Sequence, residues 1–211
     1  MERSKIRSVK QKNQRSNLCV IEFYENRDKI EVHLDIVVNS GLRKDLELEP
    51  AEIEKLINAQ KLLTAKQQCY RYAAMKPRTR KQMRQYMRTK QHDAAFHETL
   101  LTFLDEFGLI DDMKFAITFI NSTLARKSIG IRRMKSELML KGVNAQMADE
   151  AINKFYPQDD IIEFAEKAAE KKMKSIRNKI PEKQKSSLAN HLIYLGFDTN
   201  IVFKVVKKYF K

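Results

Sequence analysis

A helical pattern recurs three times in this chain and keeps its phase. With Gln91, Gly142 and Gly196 as equivalent points, 51 and 54 residues apart, the flanking apolar positions align without gaps. Upstream of these points lie Met83 and Met87, Met134 and Leu138, and Leu188 and Leu192. Downstream lie Phe96, Leu100, Leu101 and Leu104, then Met147, Ala151, Ile152 and Phe155, then Ile201, Val205, Val206 and Tyr209. Such spacings put one stripe on one helix face, so each copy reads as helix, tight turn, helix. A unit of this size cannot bury its apolar face alone. The expected fold is therefore mainly α, with three tandem three-helix repeats stacked in an elongated curved array.

The segments expected from the pattern are a basic disordered arm (1–16), a small β-hairpin-plus-helix segment (17–63), and repeats at 64–110, 111–158 and 159–211. The arm sets Arg3, Lys5, Arg7, Lys10, Lys12 and Arg15 among Ser, Gln and Asn. Leu18–Tyr24 and Lys29–Leu34 are β-branched and aromatic runs around Glu25–Asp28, a hairpin signal. Asp35 is expected to cap a short helical turn, Leu46–Leu48 to add a third strand, and Pro50 to open a helix over about 51–62. The hairpin must pack on something, most simply that helix. A further helix is expected from Lys66 to Lys76. Thr79-Arg-Lys-Gln82 is a capping-box pattern, and Asp111-Asp112 precedes a helix with Phe115, Phe119, Ile120 and Leu124 on one face. The connector between first and second helices reads as short at Pro77, longer at Ser128–Gly130 and longest across Asn178–Lys185.

Little in the chain reads as catalytic. Asp111 and Asp112 are the one candidate dyad, and adjacent carboxylates at a helix start read first as a cap and a first-turn acid. His33, His92, His97 and His191 are scattered, no glycine-rich phosphate loop is present, and the methionines fit a core stripe, so no enzyme, metal or cofactor is expected. Cys19 and Cys69 read as reduced packing residues of a cytosolic protein. No segment approaches the ~20 apolar residues needed to span a bilayer.

Charge is more informative. The formal net charge of +14 points to a polyanion: nucleic acid, an acidic protein surface or anionic lipid, the last the weakest reading. From Lys66 to Gln91 there are nine Lys or Arg and no acid, among them Arg71, Lys76, Arg78, Arg80, Lys81, Arg84 and Arg88. The second copy concentrates Arg126, Lys127, Arg132, Arg133, Lys135 and Lys141 around the same connector. The third carries Lys172, Lys174 and Arg177. Three basic connectors lined along one edge would track a phosphate backbone or an acidic groove, and three separately solvated helix faces are the plain alternative.

Gly108-Leu-Ile-Asp-Asp-Met-Lys-Phe-Ala116, Gly130-Ile-Arg-Arg-Met134, Glu137-Leu138 and Lys141-Gly-Val143 resemble the central repeat of the RecX family, bacterial modulators of the RecA recombinase. Lys76–Met83 is similar to that family's first-repeat motif, with Thr79 for Ser, Gln82 for Glu and Met83 for Leu. Gly196-Phe-Asp198 matches its third-repeat turn. Val38–Glu49 loosely fits an N-terminal extension carried by part of the family. The resemblance covers about residues 64–211. It implies repeats seated in the groove of the RecA filament on single-stranded DNA, usually inhibiting ATP hydrolysis and strand exchange, with direct DNA binding by some members. It implies a role in DNA repair, recombination and the SOS response, and neither a membrane nor a small-molecule substrate. The rival reading is a helix-turn-helix transcriptional regulator, since two helices joined by a Gly turn resemble that motif.

Overall fold

The computed structural model describes residues 3–25 and 28–210, so Asn26 and Arg27 of the expected hairpin turn lie outside the described residues. Described residues are mainly helical, with a small antiparallel sheet at the N-terminus. They divide into two compact units: those within 3–72 together with 87–103, and those within 73–86 together with 104–210. No helix among them is long and apolar enough to cross a membrane.

The first unit opens with strand β1 (Ser4–Gln11), then β2 (Leu18–Phe23), β3 (Ile30–His33), helix α1 (Leu34–Asn39) and strand β4 (Glu47–Leu48). The strands pair in the order β3-β2-β1-β4, each antiparallel to its neighbour, with Cys19 opposite Val32 and Val9 opposite Ile21. The basic arm is thus not disordered but forms an interior strand of the sheet. Two features explain this. Ile6 enters the core with no exposed surface, and the arm's cations meet acids nearby: Lys12 pairs with Glu31 at 2.8 Å and Arg3 with Glu49 at 3.0 Å. A polar run with few apolar residues therefore still folds, because partners distant in sequence pair with its backbone and with Arg3, Lys5 and Lys12.

Helix α2 runs unbroken from Pro50 to Ala74, where two helices with a break near residue 64 were expected. Leu62-Leu-Thr-Ala-Lys66 contains no Gly or Pro, so nothing stops propagation there. Ile53 and Leu56 on its first turns join Ile6, Ile21, Phe23 and Val32 in one buried cluster under the sheet. His33, not Asp35, caps α1: its Nδ1 accepts the Asp35 N–H at 3.3 Å.

Helices α3 (Arg80–Thr89) and α4 (His97–Glu106) follow, then α5 (Asp112–Leu124), α6 (Ile131–Lys141) and α7 (Ala145–Phe155), and α8 (Ile161–Ile176), α9 (Pro181–Tyr194) and α10 (Thr199–Tyr209). The triplet α5–α7 closes around Ile120, Met134, Leu138 and Ile152, and α8–α10 around Ala165, Leu188, Leu192 and Val205. The third connector is shorter than expected, because Pro181 occupies the first turn of α9, where its fixed φ and missing N–H do no harm.

The three phased points share one backbone geometry. Gln91, Gly142 and Gly196 have φ of 56°, 106° and 85°, all left-handed. Each turn carries the same pair of bonds, as in Val143 N–H to Leu138 O at 3.1 Å beside Gly142 N–H to Met139 O at 3.0 Å. This Schellman pattern satisfies the last carbonyls of α3, α6 and α9 before the chain reverses.

Candidate functional site

The second unit is assembled through a joint that the sequence does not reveal. Thr79 lies just before α3, fully buried. Its backbone N–H reaches Gln82 Oε1 at 3.3 Å while its hydroxyl accepts the Gln82 N–H at 3.1 Å, the expected capping box. The same hydroxyl donates to the Lys141 carbonyl at 2.6 Å, tying the start of α3 to the end of α6. Next door, Lys81 Nζ donates to the Leu140 carbonyl at 3.2 Å. A Cβ on Gly142 would stand 2.3 Å from Lys81 Cβ, so this approach excludes any larger residue. The joint repeats one step along: Gly130 N–H donates to Leu195 O at 2.8 Å and Arg132 N–H to Gly196 O at 3.2 Å.

The paired acids serve helix starts. Asp111 caps α5, accepting the Lys114 N–H at 2.8 Å. Asp112, at the first position of α5, caps a different helix: its Oδ1 accepts the Arg80 N–H at 3.0 Å, at the start of α3. Burial pushes the Asp112 carboxyl up, against the pull of the Arg80 amide and charge. The Arg80 guanidinium reaches Asp105 at 2.6 Å. No group of three or more metal-ligating side chains exists among the described residues.

The joint brings predicted cations together. Lys76 and Arg78 of the α2–α3 connector, Arg126 after α5 and Lys141 at the end of α6 line one groove of about 330 Å³, together with Pro77 and Gln82. Phe115 and Phe119 line its other side, stacked with centroids 5.8 Å apart and planes 20° from parallel. Thr118 and Ser122 add hydroxyls, and no carboxylate is among the lining residues. Phe119, Thr118 and Ser122 were not anticipated as site residues. The one signal was spacing: they continue the face that begins at Phe115.

Other predicted cations go elsewhere. Arg132 pairs with Asp198 at 2.6 Å, Arg133 with Glu137 at 3.0 Å, Lys135 with Asp149 at 2.6 Å and Lys174 with Glu170 at 2.9 Å. Arg133 also lies 4.8 Å from the centre of the Tyr194 ring, and its hydrogen bonds with Tyr194 and to the Glu137 carboxylate raise its pKa. Arg71 turns back onto the Gln67 carbonyl at 3.3 Å, Arg84 is half-buried on α3, and Arg88, Lys127 and Arg177 are exposed at helix ends. Lys172 lines a separate cleft with Lys179, Lys183 and His191. The expected single strip is thus a groove around the α3–α6 joint plus dispersed, largely paired cations. Surface pairs of this kind hold by roughly 0–1 kcal/mol, so a polyanion can compete for them.

Comparison with known proteins places this architecture. Residues 65–104 match the family model described as RecX, first three-helix domain. The regulatory protein RecX of Lactococcus lactis subsp. lactis (strain IL1403) is 27% identical over 180 residues, covering 84% of this chain and 67% of that protein. That of Clostridium beijerinckii is 25% identical over 207 residues, covering 97% of this chain and 94% of that protein. The chain resembles the RecX family along nearly its whole length. The RecX fold itself is matched by a crystal structure of regulatory protein RecX at a TM-score of 0.76 and 21% identity, covering 97% of this chain and 99% of that one. RecX from Lactobacillus salivarius matches at a TM-score of 0.61 and 19% identity, covering 71% and 97%.

Proposed function

We propose that this RecX-like chain binds the RecA recombinase filament on single-stranded DNA, seated in its groove, and restrains its ATPase and strand-exchange activities. The observation that carries this reading is the groove of Lys76, Arg78, Arg126 and Lys141, free of carboxylates and backed by stacked Phe115 and Phe119. Cations beside an aromatic platform suit a nucleic-acid backbone or an acidic surface: the cations exchange counterions with it, and the rings supply stacking area. The joint at Thr79, Lys141 and Gly142 sets the spacing of those cations. The protein acts as a binder with no cofactor and no chemistry of its own, in the cytoplasm where the recombinase works during DNA repair and the SOS response. The repeat assignment at 64–110, 111–158 and 159–211 belongs to the same proposal.

The deciding experiment is ATP hydrolysis by the same organism's RecA on single-stranded DNA with the protein titrated in. A dose-dependent fall that Lys76→Ala, Arg126→Ala and Lys141→Ala together reverse supports the reading. No effect at any dose, together with a defined footprint on duplex DNA, would replace it with the helix-turn-helix regulator.

A further inference from the structure

The third helical triplet departs from the second at one surface crossing. With Gly196 aligned on Gly142, Ala189 stands where the second triplet has Lys135 and Phe203 where it has Asp149, while Ile193 and its counterpart Met139 are both exposed and apolar. Lys135 and Asp149 close the α6–α7 surface as an ion pair at 2.6 Å. The corresponding α9–α10 surface is instead an open apolar cleft of about 540 Å³, lined by Ala189, Ile193, Val202, Phe203 and Val206. Ile193 and Phe203 are 52% and 68% exposed. A solvated surface with no use for such side chains carries polar ones, as the second triplet does at Lys135 and Asp149.

On its other flank α9 borders a cleft of opposite character. Lys172, Lys179 and Lys183 line it with Asn190 and His191, about 500 Å³ in all, and no carboxylate is among the lining residues. Tyr194, 67% exposed, extends this side and carries the Arg133 guanidinium over its ring at 4.8 Å. One exposed helix thus separates an apolar trough from a cationic one, with Ser186 on both.

We propose that the α9–α10 surface is a docking site for an acidic amphipathic helix of a partner protein, its apolar stripe in the Ile193–Phe203 cleft and its carboxylates on Lys172, Lys179 and Lys183. Charge complementarity selects this occupant. A second copy of this chain would bring the same lysines against themselves. A nucleic acid would leave the apolar trough unused. The helix-in-groove mode uses both surfaces at once: apolar anchors supply affinity and the flanking charges fix orientation. The site shares no residue with the Lys76–Lys141 groove and stands whether or not the recombinase reading does.

The test uses the full chain and a fluorescein-labelled synthetic peptide of about 18 residues, with Leu and Phe at i, i+3, i+4 and i+7 and Glu along one flank. A scrambled peptide of the same composition and a short oligothymidine are the controls, all followed by fluorescence anisotropy at near-physiological salt. The striped peptide is expected to bind at least about tenfold more tightly than the scrambled one, and Phe203→Glu or Ile193→Glu to remove about tenfold of that affinity. Phe203→Ser reports the same loss if the charged variants do not fold, and thermal melts establish which variants do. Equal binding of striped and scrambled peptides overturns the proposal. So does oligothymidine binding that Phe203→Glu abolishes, or sedimentation showing a dimer of this chain that Phe203→Glu dissolves.

Discussion

The Thr79 hydroxyl sits 2.6 Å from the Lys141 carbonyl, 62 positions away in the chain, while also accepting the Gln82 N–H at 3.1 Å. One buried oxygen therefore caps α3 and satisfies the C-terminus of α6. Thr79→Ala removes the cap, worth about 1 kcal/mol, and takes the hydroxyl from the Lys141 carbonyl in a part-buried bond, costing about 1–3 kcal/mol more. Urea unfolding should show a loss of roughly 2–4 kcal/mol for Ala and under about 1 kcal/mol for Thr79→Ser, which keeps the hydroxyl. Equal losses would mean that the methyl group, not the hydroxyl, matters.

Gly196 and Gly108 both have positive φ, 85° and 61°, but only one is crowded. A Cβ at Gly196 would lie 2.2 Å from the Arg133 backbone nitrogen, whereas one at Gly108 meets nothing within 4 Å. Gly108→Ala should cost only the left-handed strain, about 1–2 kcal/mol. Gly196→Ala should cost clearly more, because the α6 backbone must move. Matched midpoints in a denaturant series would show that the joint is loose.

Asp112 gives a pH signature with a definite sign. Its carboxyl is raised by burial, so the folded chain holds that proton more tightly than the unfolded one. Its contribution to stability is most favourable at low pH and falls as pH climbs from the ordinary Asp range through the raised folded value. Asp112→Asn keeps an acceptor for the Arg80 amide without the buried charge. It should match or slightly exceed wild type at pH 7, the difference vanishing in acid. Asp112→Ala, which loses the acceptor, should be about 1 kcal/mol less stable. Chemical denaturation across pH checks both. Lost RecA inhibition with unchanged stability would instead give the acid pair a direct role.

The groove predicts position-dependent binding. Replacing Lys76, Arg126 and Lys141 with Ala should weaken binding to the RecA–DNA filament at low salt and lower the salt slope by about 2 if each touches a phosphate. Replacing Arg132, Arg133 and Lys135 should do less, because these cations already face Asp198, Glu137 and Asp149. Lys204, Lys207 and Lys208 form the charge-matched control and should matter least. Equal losses from all three sets, measured by anisotropy at several salt concentrations, would show that net charge alone governs affinity.

Local rules made the turns legible. Helix period and apolar phase located Gln91, Gly142 and Gly196, and all three are left-handed. The Thr79–Gln82 box and the Asp111 cap likewise depend on residues three apart, which a sequence displays directly. Reading failed where partners lie far along the chain. Ser4–Gln11 became an interior strand because β2 and β4 pair with it and nearby acids neutralise it. Gln91 and Gly142 show the same division. The sequence specifies a tight turn at each, the structure makes both left-handed, and the packing of Lys81 against Gly142 explains the glycine there. What the sequence alone determined is the reversals at Gln91, Gly142 and Gly196 and the caps that start α3 and α5, since those depend on bonds within a few residues, whereas it broke α2 near residue 64, where the helix runs on. The tertiary structure decided which cations share a groove and which are paired away, because Lys76, Arg126 and Lys141 meet only when the Thr79 joint brings α3 onto α6.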